Sequence, residues 1–531
     1  MTRRKIRSRT LAGAVALTSA TLLAFGCSSG DGAGQAKTDS GVKDTAATTA
    51  ADLTVPVAAA KLADTVSDRF QSFNLEMASV VGGTFWAPRG DASGQAVSVH
   101  PPVALDERLT NLTKALAPAY IRVSGSWANK VYFDDSDTPA VEAPEGFQSV
   151  LTAERWSEVG DFARSTGNKM VTSFAVGAGT RAADGSWTPN LAERFLRYTV
   201  DHDIPVEAAE FINEPNIQGT AGASYDANGF ARDFRTLVGL RDQVDPDLLL
   251  LGPGGMVVSY EVMKPLDDPT TEELLQTSAS MFDGFSFHSY TGMSDRCPTL
   301  PQVPVDRLMD RSVLGIMVDN IDKSRRLRDQ FMPGKKIWLT ETATAACGGD
   351  QTAPTFEGAF AYVEHLGDAA RNGVWVHMYN TLVASDYGLL DDQTHLPRPS
   401  YWAAYLWGRL MGTRSLDLAP TTPEDKVSVF GHCLKGDDKG AVGVVISNRD
   451  GERSYTVDLG SKSASSITLT AAALTSGEVL ANGQPLTVAD DGTFSTPEPI
   501  RVDGRALTVA PHSISFITLP AAGAAACRAK G

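Results

Sequence analysis

Eight short apolar runs recur along this chain, near residues 70–75, 120–123, 170–176, 206–212, 248–251, 282–288, 336–340 and 374–379, with amphipathic stretches between them. Apolar runs that alternate with helical patterns predict parallel strands joined by helices, and eight such units predict a closed (β/α)8 TIM barrel, an α/β fold. The helical stretches are clearest at 191–200, 230–244, 305–329, 356–371 and 400–411, where apolar residues fall at three- and four-residue spacing. With 531 residues, the chain has room for a barrel of about 250 residues or more and another domain. After Leu416 the texture changes to short alternating runs at 427–430, 441–446, 454–459, 466–470, 507–509 and 513–519. Turn signals such as Asn448-Arg449-Asp450-Gly451 separate them, and the pattern predicts a C-terminal antiparallel β-sandwich. The expected domains are thus a catalytic barrel over 70–415 and a sandwich over 416–531. Residues 52–69, with Leu53, Val55 and Val57, are expected to lend the sandwich a strand before the barrel begins.

The N-terminus sets location. Arg3, Arg4, Lys5, Arg7 and Arg9 precede an apolar stretch that ends at Gly26-Cys27, so residues 1–26 are expected to be a secretory signal. Ala24-Phe25-Gly26-Cys27 is similar to a bacterial lipobox and makes Cys27 the expected acylation site of an outward-facing membrane lipoprotein; simple secretion is the alternative. Residues 27–51, rich in Ser, Gly, Ala, Thr and Asp, are expected to be a flexible tether. Losing the signal removes five basic side chains and no acidic one, so the formal charge of −16 becomes more negative still. That excludes nucleic acid as a natural partner and disfavours long sulfated polyanions. The basic cluster Lys323, Arg325, Arg326 and Arg328 is expected on the solvated face of a helix. Four further cysteines, in an oxidising compartment, predict two disulfides. Cys297 with Cys347 and Cys433 with Cys527 is the favoured pairing, because each bond then stays within one domain. No pair has metal-ligand spacing, so no metal is expected.

The chemistry is carried by two glutamates. Glu214, in Phe211-Ile212-Asn213-Glu214-Pro215-Asn216, and Glu341, in Trp338-Leu339-Thr340-Glu341-Thr342, each close an apolar run, the fourth and the seventh. The C-terminal ends of barrel strands are where such folds keep their reacting groups. Two carboxylates facing one another across a sugar suffice to cleave a glycosidic bond, with no cofactor. Asn213 suits a donor to the sugar 2-hydroxyl, and Pro215 ends the strand by withholding an N–H. Structural salt bridges are the alternative for the pair.

Four stretches carry a specific resemblance. They are Pro118-Ala119-Tyr120-Ile121-Arg122 through Gly125; Asn213-Glu214-Pro215-Asn216; Lys335-Lys336-Ile337-Trp338-Leu339-Thr340-Glu341-Thr342 through Gly348-Gly349; and Ala370-Arg371-Asn372-Gly373 through Asp386-Tyr387 to Tyr401-Trp402 and Met411-Gly412-Thr413. The chain resembles the heparanase and β-glucuronidase group, glycoside hydrolase family seventy-nine, within a large clan of retaining glycosidases. The resemblance implies that Glu214 is the general acid/base, that Glu341 is the nucleophile, and that the configuration is retained. It implies that His288 and Tyr290 position the nucleophile, where packed core residues are the alternative. It also implies that Gly348 and Gly349, through their N–H groups, and Tyr387, through its phenol, grip a uronate carboxylate; paired glycine amides approach an anion closely. Glu76 is expected either to bind a sugar hydroxyl or to form a barrel-rim salt bridge. The Cys433 and Cys527 pair matches the family pattern. Trp127 and Tyr379 stand where heparanase itself leads one to look for a lysine and a glutamine, and both favour stacking on sugar faces over binding sulfate. A β-glucuronidase acting on glucuronides or glucuronate-containing oligosaccharides is the expectation. An endo-acting heparanase-like enzyme, a β-xylosidase, an arabinofuranosidase and a sugar-binding lipoprotein without turnover are the rivals. No oligomeric state is assigned.

Overall fold

The computed structural model describes residues 51–89, 95–217, 219–221, 225–257, 268–421, 425–461 and 463–528. The expected signal segment, Cys27 and the tether up to residue 50 lie outside them. No helix among the described residues is long and apolar enough to cross a membrane.

Eight strands close into a barrel: β1 (Gln71–Asn74), β2 (Tyr120–Val123), β3 (Lys169–Ser173), β4 (Val206–Glu210), β5 (Leu249–Met256), β6 (Gly284–Met293), β7 (Ile337–Ala346) and β8 (Val374–Tyr379). Each pairs in parallel with its neighbours in sequence, and β8 closes the ring on β1. The connections carry helices α1 (Glu107–Ala115), α2 (Ala153–Ser165), α3 (Asn190–Asp201), α4 (Ala227–Val244), α5 (Thr271–Ser278), α6 (Ile316–Phe331), α7 (Phe356–Arg371) and α8 (Pro399–Leu410). Asp106, Thr152 and Asp226 accept N-terminal amides of α1, α2 and α4, and Thr270 with Glu273 forms a capping box on α5. The long helix expected over 305–329 is broken: a short turn at Val305–Arg307 and a single turn at Arg311–Leu314 precede α6, with Gly315 between.

Strands β6 and β7 run well past their apolar runs. The extensions Ser289-Tyr290-Thr291-Gly292 and Glu341-Thr342-Ala343-Thr344 hold polar residues that nevertheless stay buried. Polarity ended the run in the sequence, whereas hydrogen-bond partners such as Asn320 on Ser289 keep the strand going. Glu341 therefore stands inside a strand rather than at its end. Strand β4 is shorter than expected: it stops at Glu210, and Glu214 lies beyond it.

Behind the barrel, β9 (Met411–Asp417), β10 (Val427–Leu434), β11 (Val442–Asn448), β12 (Ala464–Thr470) and β13 (Ser513–Leu519) form an antiparallel sheet in the order β9, β10, β11, β13, β12. The sheet starts at Met411, directly off α8, rather than at 416. The segment before the barrel supplies two strands: Lys61–Thr65 pairs with β9, and Leu53–Thr54 pairs with Tyr455–Asp458 in a smaller facing sheet. Leu53, Val55, Val57, Val444, Ile446, Tyr455 and Ile517 fill the space between these layers. Cys433 is bonded to Cys527 in this layer pair, and Cys297 to Cys347 beside the C-terminal ends of β6 and β7.

Candidate active site

Arg122, the one charge inside the apolar strand β2, is fully buried. A buried guanidinium needs carboxylate partners, and its planar fork finds several. It donates to Glu210 at 2.9 Å, to Glu341 at 3.1 Å and to Asn213 Oδ1 at 2.8 Å, and it lies 3.3 Å from His288 Nε2. Burial pushes the Glu210 carboxyl up, but Arg122 overcomes that and holds it below the usual range. Thr340 Oγ1 donates to the other Glu210 oxygen at 2.8 Å. Four strands are thereby tied together under the cleft.

Glu214 reaches that cleft by a local turn. Its φ of 56° is in the left-handed region that non-glycine residues rarely adopt, and its N–H donates to the Gly254 carbonyl at 3.1 Å. Asn213, just before it, is buried and doubly bonded to Asn129, while its Nδ2, expected to meet a sugar hydroxyl, rests 3.4 Å from Ser126 Oγ. His288 Nδ1 lies 3.1 Å from Glu214 and 3.6 Å from Glu341. Its burial favours the neutral ring, but Glu341 and Glu214 outweigh burial and raise its pKa above the ordinary value. Tyr290 donates its hydroxyl to Glu341 Oε1 and accepts from Asn380 Nδ2 at 3.0 Å. Burial and then Glu341 push the phenol well up, so it remains a donor.

One oxygen each of Glu214 and Glu341 and a nitrogen of His288 lie within 4.8 Å of one another. That spacing matches a retaining pair, about 5–5.5 Å, and not an inverting pair at roughly 6.5–9.5 Å. Glu, His and Glu are also a donor set for a metal ion. Arg122, however, already places a fixed positive charge against Glu341 and His288.

The cleft encloses about 310 Å³ and is lined by Glu76, Trp86, Trp127, Glu214, Tyr290, Glu341, Asn380 and Tyr387 among others. Glu76 is buried and makes no salt bridge among the described residues, so the rim-bridge alternative does not hold. Burial first and Glu341 second push its carboxyl well above the usual range. Gly125, at φ 96°, makes room for it, since a Cβ there would stand 1.9 Å from Glu76 Oε2. Gly348 and Gly349 form a left-handed turn against Trp86, Ser385 and Tyr387, and neither amide N–H has an acceptor among the described residues. Cys347 brings its disulfide to the same wall.

Trp127 lines the cleft and packs edge-on against Phe85 at 4.8 Å. Tyr379 does not. Its ring lies 4.8 Å from Tyr362 of α7, because Val376 and Met378 take the inward positions of β8 and Tyr379 alternates outward. The expectation that Tyr379 stacks on sugar is corrected accordingly; Asn380, one residue on, lines the cleft instead. Arg122, Glu210 and Asn380 were not singled out as site residues from the sequence. A lone charge within the buried strand Tyr120–Val123 was the available signal. Arg325 and Arg326 are exposed on α6, away from the site.

The family described as "Glycosyl hydrolase family 79, N-terminal domain" matches residues 96–367. Heparanase-like protein 1 of Arabidopsis thaliana is 28% identical over 480 residues, 79% of this chain and 85% of the relative. Baicalin-beta-D-glucuronidase of Scutellaria baicalensis is 24% identical over 462 residues, covering 78% and 82%. A solved 4-O-alpha-L-rhamnosyl-beta-D-glucuronidase from Fusarium oxysporum superposes with a TM-score of 0.61 at 18% identity, over 88% of this chain and all of that one, a likeness of fold. The chain belongs to glycosyl hydrolase family 79 and is a glycosyl hydrolase acting on carbohydrate.

Proposed function

We propose that this family 79 hydrolase is a retaining β-glucuronidase, with Glu341 as nucleophile and Glu214 as general acid/base. The observation that carries the mechanism is the short span between the two carboxylates, with His288 between them. Arg122 donates to one oxygen of Glu341 and Tyr290 to the other, fixing the carboxyl group with one face on the cleft. Its oxygen attacks the anomeric carbon while Glu214 gives its proton to the departing oxygen, leaving a glycosyl ester on Glu341. Glu214, now a carboxylate, takes a proton from water, which attacks the same carbon and releases Glu341.

The glucuronate reading rests on the amides of Gly348 and Gly349, which have no acceptor among the described residues, beside Tyr387, and on the glucuronidase among the relatives. Charge-assisted hydrogen bonds are worth about 1.5–3 kcal/mol each, so two of them favour glucuronide over glucoside by roughly a hundredfold to ten-thousandfold in kcat/KM. A panel of p-nitrophenyl glycosides tests this, with glucuronide beside glucoside, xyloside and arabinoside. Equal rates on glucuronide and glucoside would refute the uronate preference and leave the retaining mechanism intact. The two disulfides suit an exported protein. Acylation at Cys27 is part of the proposal, tested by intact-mass measurement of membrane-extracted protein.

A further inference from the structure

The residues assigned to the carboxylate come from two separate loops, one after β7 and one after β8, and something must hold them in register. Arg296, in the loop after β6, touches both. Its Nη1 donates to the carbonyls of Gly348 at 3.2 Å and Gly349 at 3.0 Å, and its Nη2 donates to Asp386 Oδ2 at 2.9 Å and to the Ala87 carbonyl. The side chain is only 8% exposed. Asp386 immediately precedes Tyr387, and its own N–H donates to the Gly348 carbonyl at 3.1 Å. Ser385 Oγ adds a further donor to that carbonyl at 2.8 Å.

The consequence follows from peptide geometry. The Gly348 carbonyl and the Gly349 N–H belong to one trans peptide and point opposite ways. With three groups drawing the carbonyl to one side, the Gly349 N–H is aimed away from Arg296, and donors on a carbonyl polarise the N–H of the same peptide. Two further ties converge here. Cys297, next to Arg296, is bonded to Cys347, next to Gly348. Arg398 donates to the carbonyls of Ser385, Asp386 and Gly388, pinning the second loop from its other side.

We infer that Arg296 is a positioning and specificity-determining residue: it locks the Gly348–Gly349 turn onto the Asp386–Tyr387 loop, so that two amides and a phenol converge on one substrate carboxylate. The guanidinium does not need to touch the sugar. Its four Nη–H donors go to three backbone carbonyls and Asp386, and its charge also acts on the Tyr387 phenol, which burial and Glu76 push up and Arg296 draws back.

The inference rests on the glucuronate reading, and the test separates the two. Wild type, Arg296→Met and Arg296→Lys are assayed on p-nitrophenyl glucuronide and glucoside, with folding checked by circular dichroism and thermal melting. Wild type is expected to prefer glucuronide. In Arg296→Met the ratio of kcat/KM for glucuronide to that for glucoside falls at least tenfold, mainly through KM for glucuronide, and Arg296→Lys recovers part of it. A wild type without the preference sinks the glucuronate reading, and the inference with it. A wild type with the preference and a folded Arg296→Met that keeps the full ratio overturns the inference alone. If Arg296→Met does not fold, the Lys variant decides: one donor point in place of a fork must still lower the ratio several-fold, and an unchanged ratio overturns the inference.

Discussion

Two of the buried charge clusters among the described residues make a contrast, because only the first lines the cleft. At the top of the barrel, Arg122 pairs with Glu210 at 2.8 Å and with Glu341 at 3.1 Å. Between α7 and the sandwich, Arg311 pairs with Glu364 at 3.1 Å and Asp368 at 2.8 Å, and Arg449 approaches Glu364 at 3.2 Å. Both clusters are desolvated, and each shifts a carboxyl. Burial raises Asp368 despite Arg311 and Arg371, while in the barrel Arg122 lowers Glu210. The balance of sign differs. Around α7, three arginines meet two acids, and Arg449 also donates to the carbonyls of Met309 and Asp425 and to Ser428 Oγ. In the barrel, Glu76, Glu210, Glu214 and Glu341 surround one arginine and His288, and three of those acids face the cleft. Burial and pairing alone do not mark chemistry; an excess of one charge on the wall of a cleft does.

Mutation of the barrel acids separates the two clusters most strongly. Glu341→Ala should lower kcat by more than about ten-thousandfold, and Glu214→Ala by about a hundredfold to ten-thousandfold on a poor leaving group, with much less lost on an activated aryl leaving group. Steady-state kinetics on both leaving groups check this, and near-normal turnover of either variant on an unactivated glycoside would refute the roles. Removing the centre of each cluster sharpens the contrast. Arg122→Met and Glu364→Gln each leave buried charges unpaired and should cost about 3–5 kcal/mol of stability in urea unfolding. Only Arg122→Met should also abolish turnover at a temperature where both variants are folded. Equal kinetic losses would erase the distinction.

The histidines repeat the contrast on a smaller scale. Burial lowers the pKa of His365 to about 4, that of His377 to about 3 and that of His432 to about 4, and neither nitrogen of His377 has a partner among the described residues. The unfolded chain binds protons at these sites from about pH 6.5 downward, whereas the folded chain does not. Their stabilising contribution is therefore complete above about pH 6.5 and lost as pH falls, by up to about 1.4 kcal/mol per unit for each ring. His288, raised in the fold, works in the opposite sense, since folded protein holds that proton better. The raised carboxyls of Glu76 and Glu357 oppose the three rings as well, since the fold holds their protons at a pH where the unfolded chain releases them. The rings are therefore read by difference: between about pH 6.5 and 5 the urea midpoint of His377→Gln should fall less than that of the wild type, or rise more. An unchanged pH dependence would contradict the assignment. The smallest effect belongs to the exposed arginines of α6: Arg326→Ala should change stability by no more than about 0.5 kcal/mol and leave kcat/KM unaltered.

Much of this was legible in the chain. The apolar runs located all eight barrel strands, and Glu214, Glu341, His288 and Tyr290, marked from motif and resemblance, do converge. What stayed hidden depends on partners far away in sequence. Arg122 matters because it meets Glu341 across the barrel, and nothing local to Tyr-Ile-Arg-Val says so. Arg296 follows an unremarkable Ser-Asp pair, and its significance lies in two carbonyls contributed by another loop. Tyr379 was misread because inward and outward positions depend on register, and the pairing of β7 with β8 slips between Leu339 and Thr342. Extensions of β6 and β7 were hidden by their own polar residues, which only tertiary hydrogen bonds make compatible with burial.

The claim on which the account turns is that Glu341 forms a covalent bond to the sugar. An activated 2-deoxy-2-fluoro glucuronide slows both steps, and its good leaving group lets the ester accumulate, so peptide mapping by mass spectrometry after brief incubation reads the bond directly. One fluoroglucuronyl group on the peptide that carries Glu341, absent from Glu341→Ala, is the predicted result. A label on any other residue, or an inverted product formed without a covalent intermediate, would contradict it.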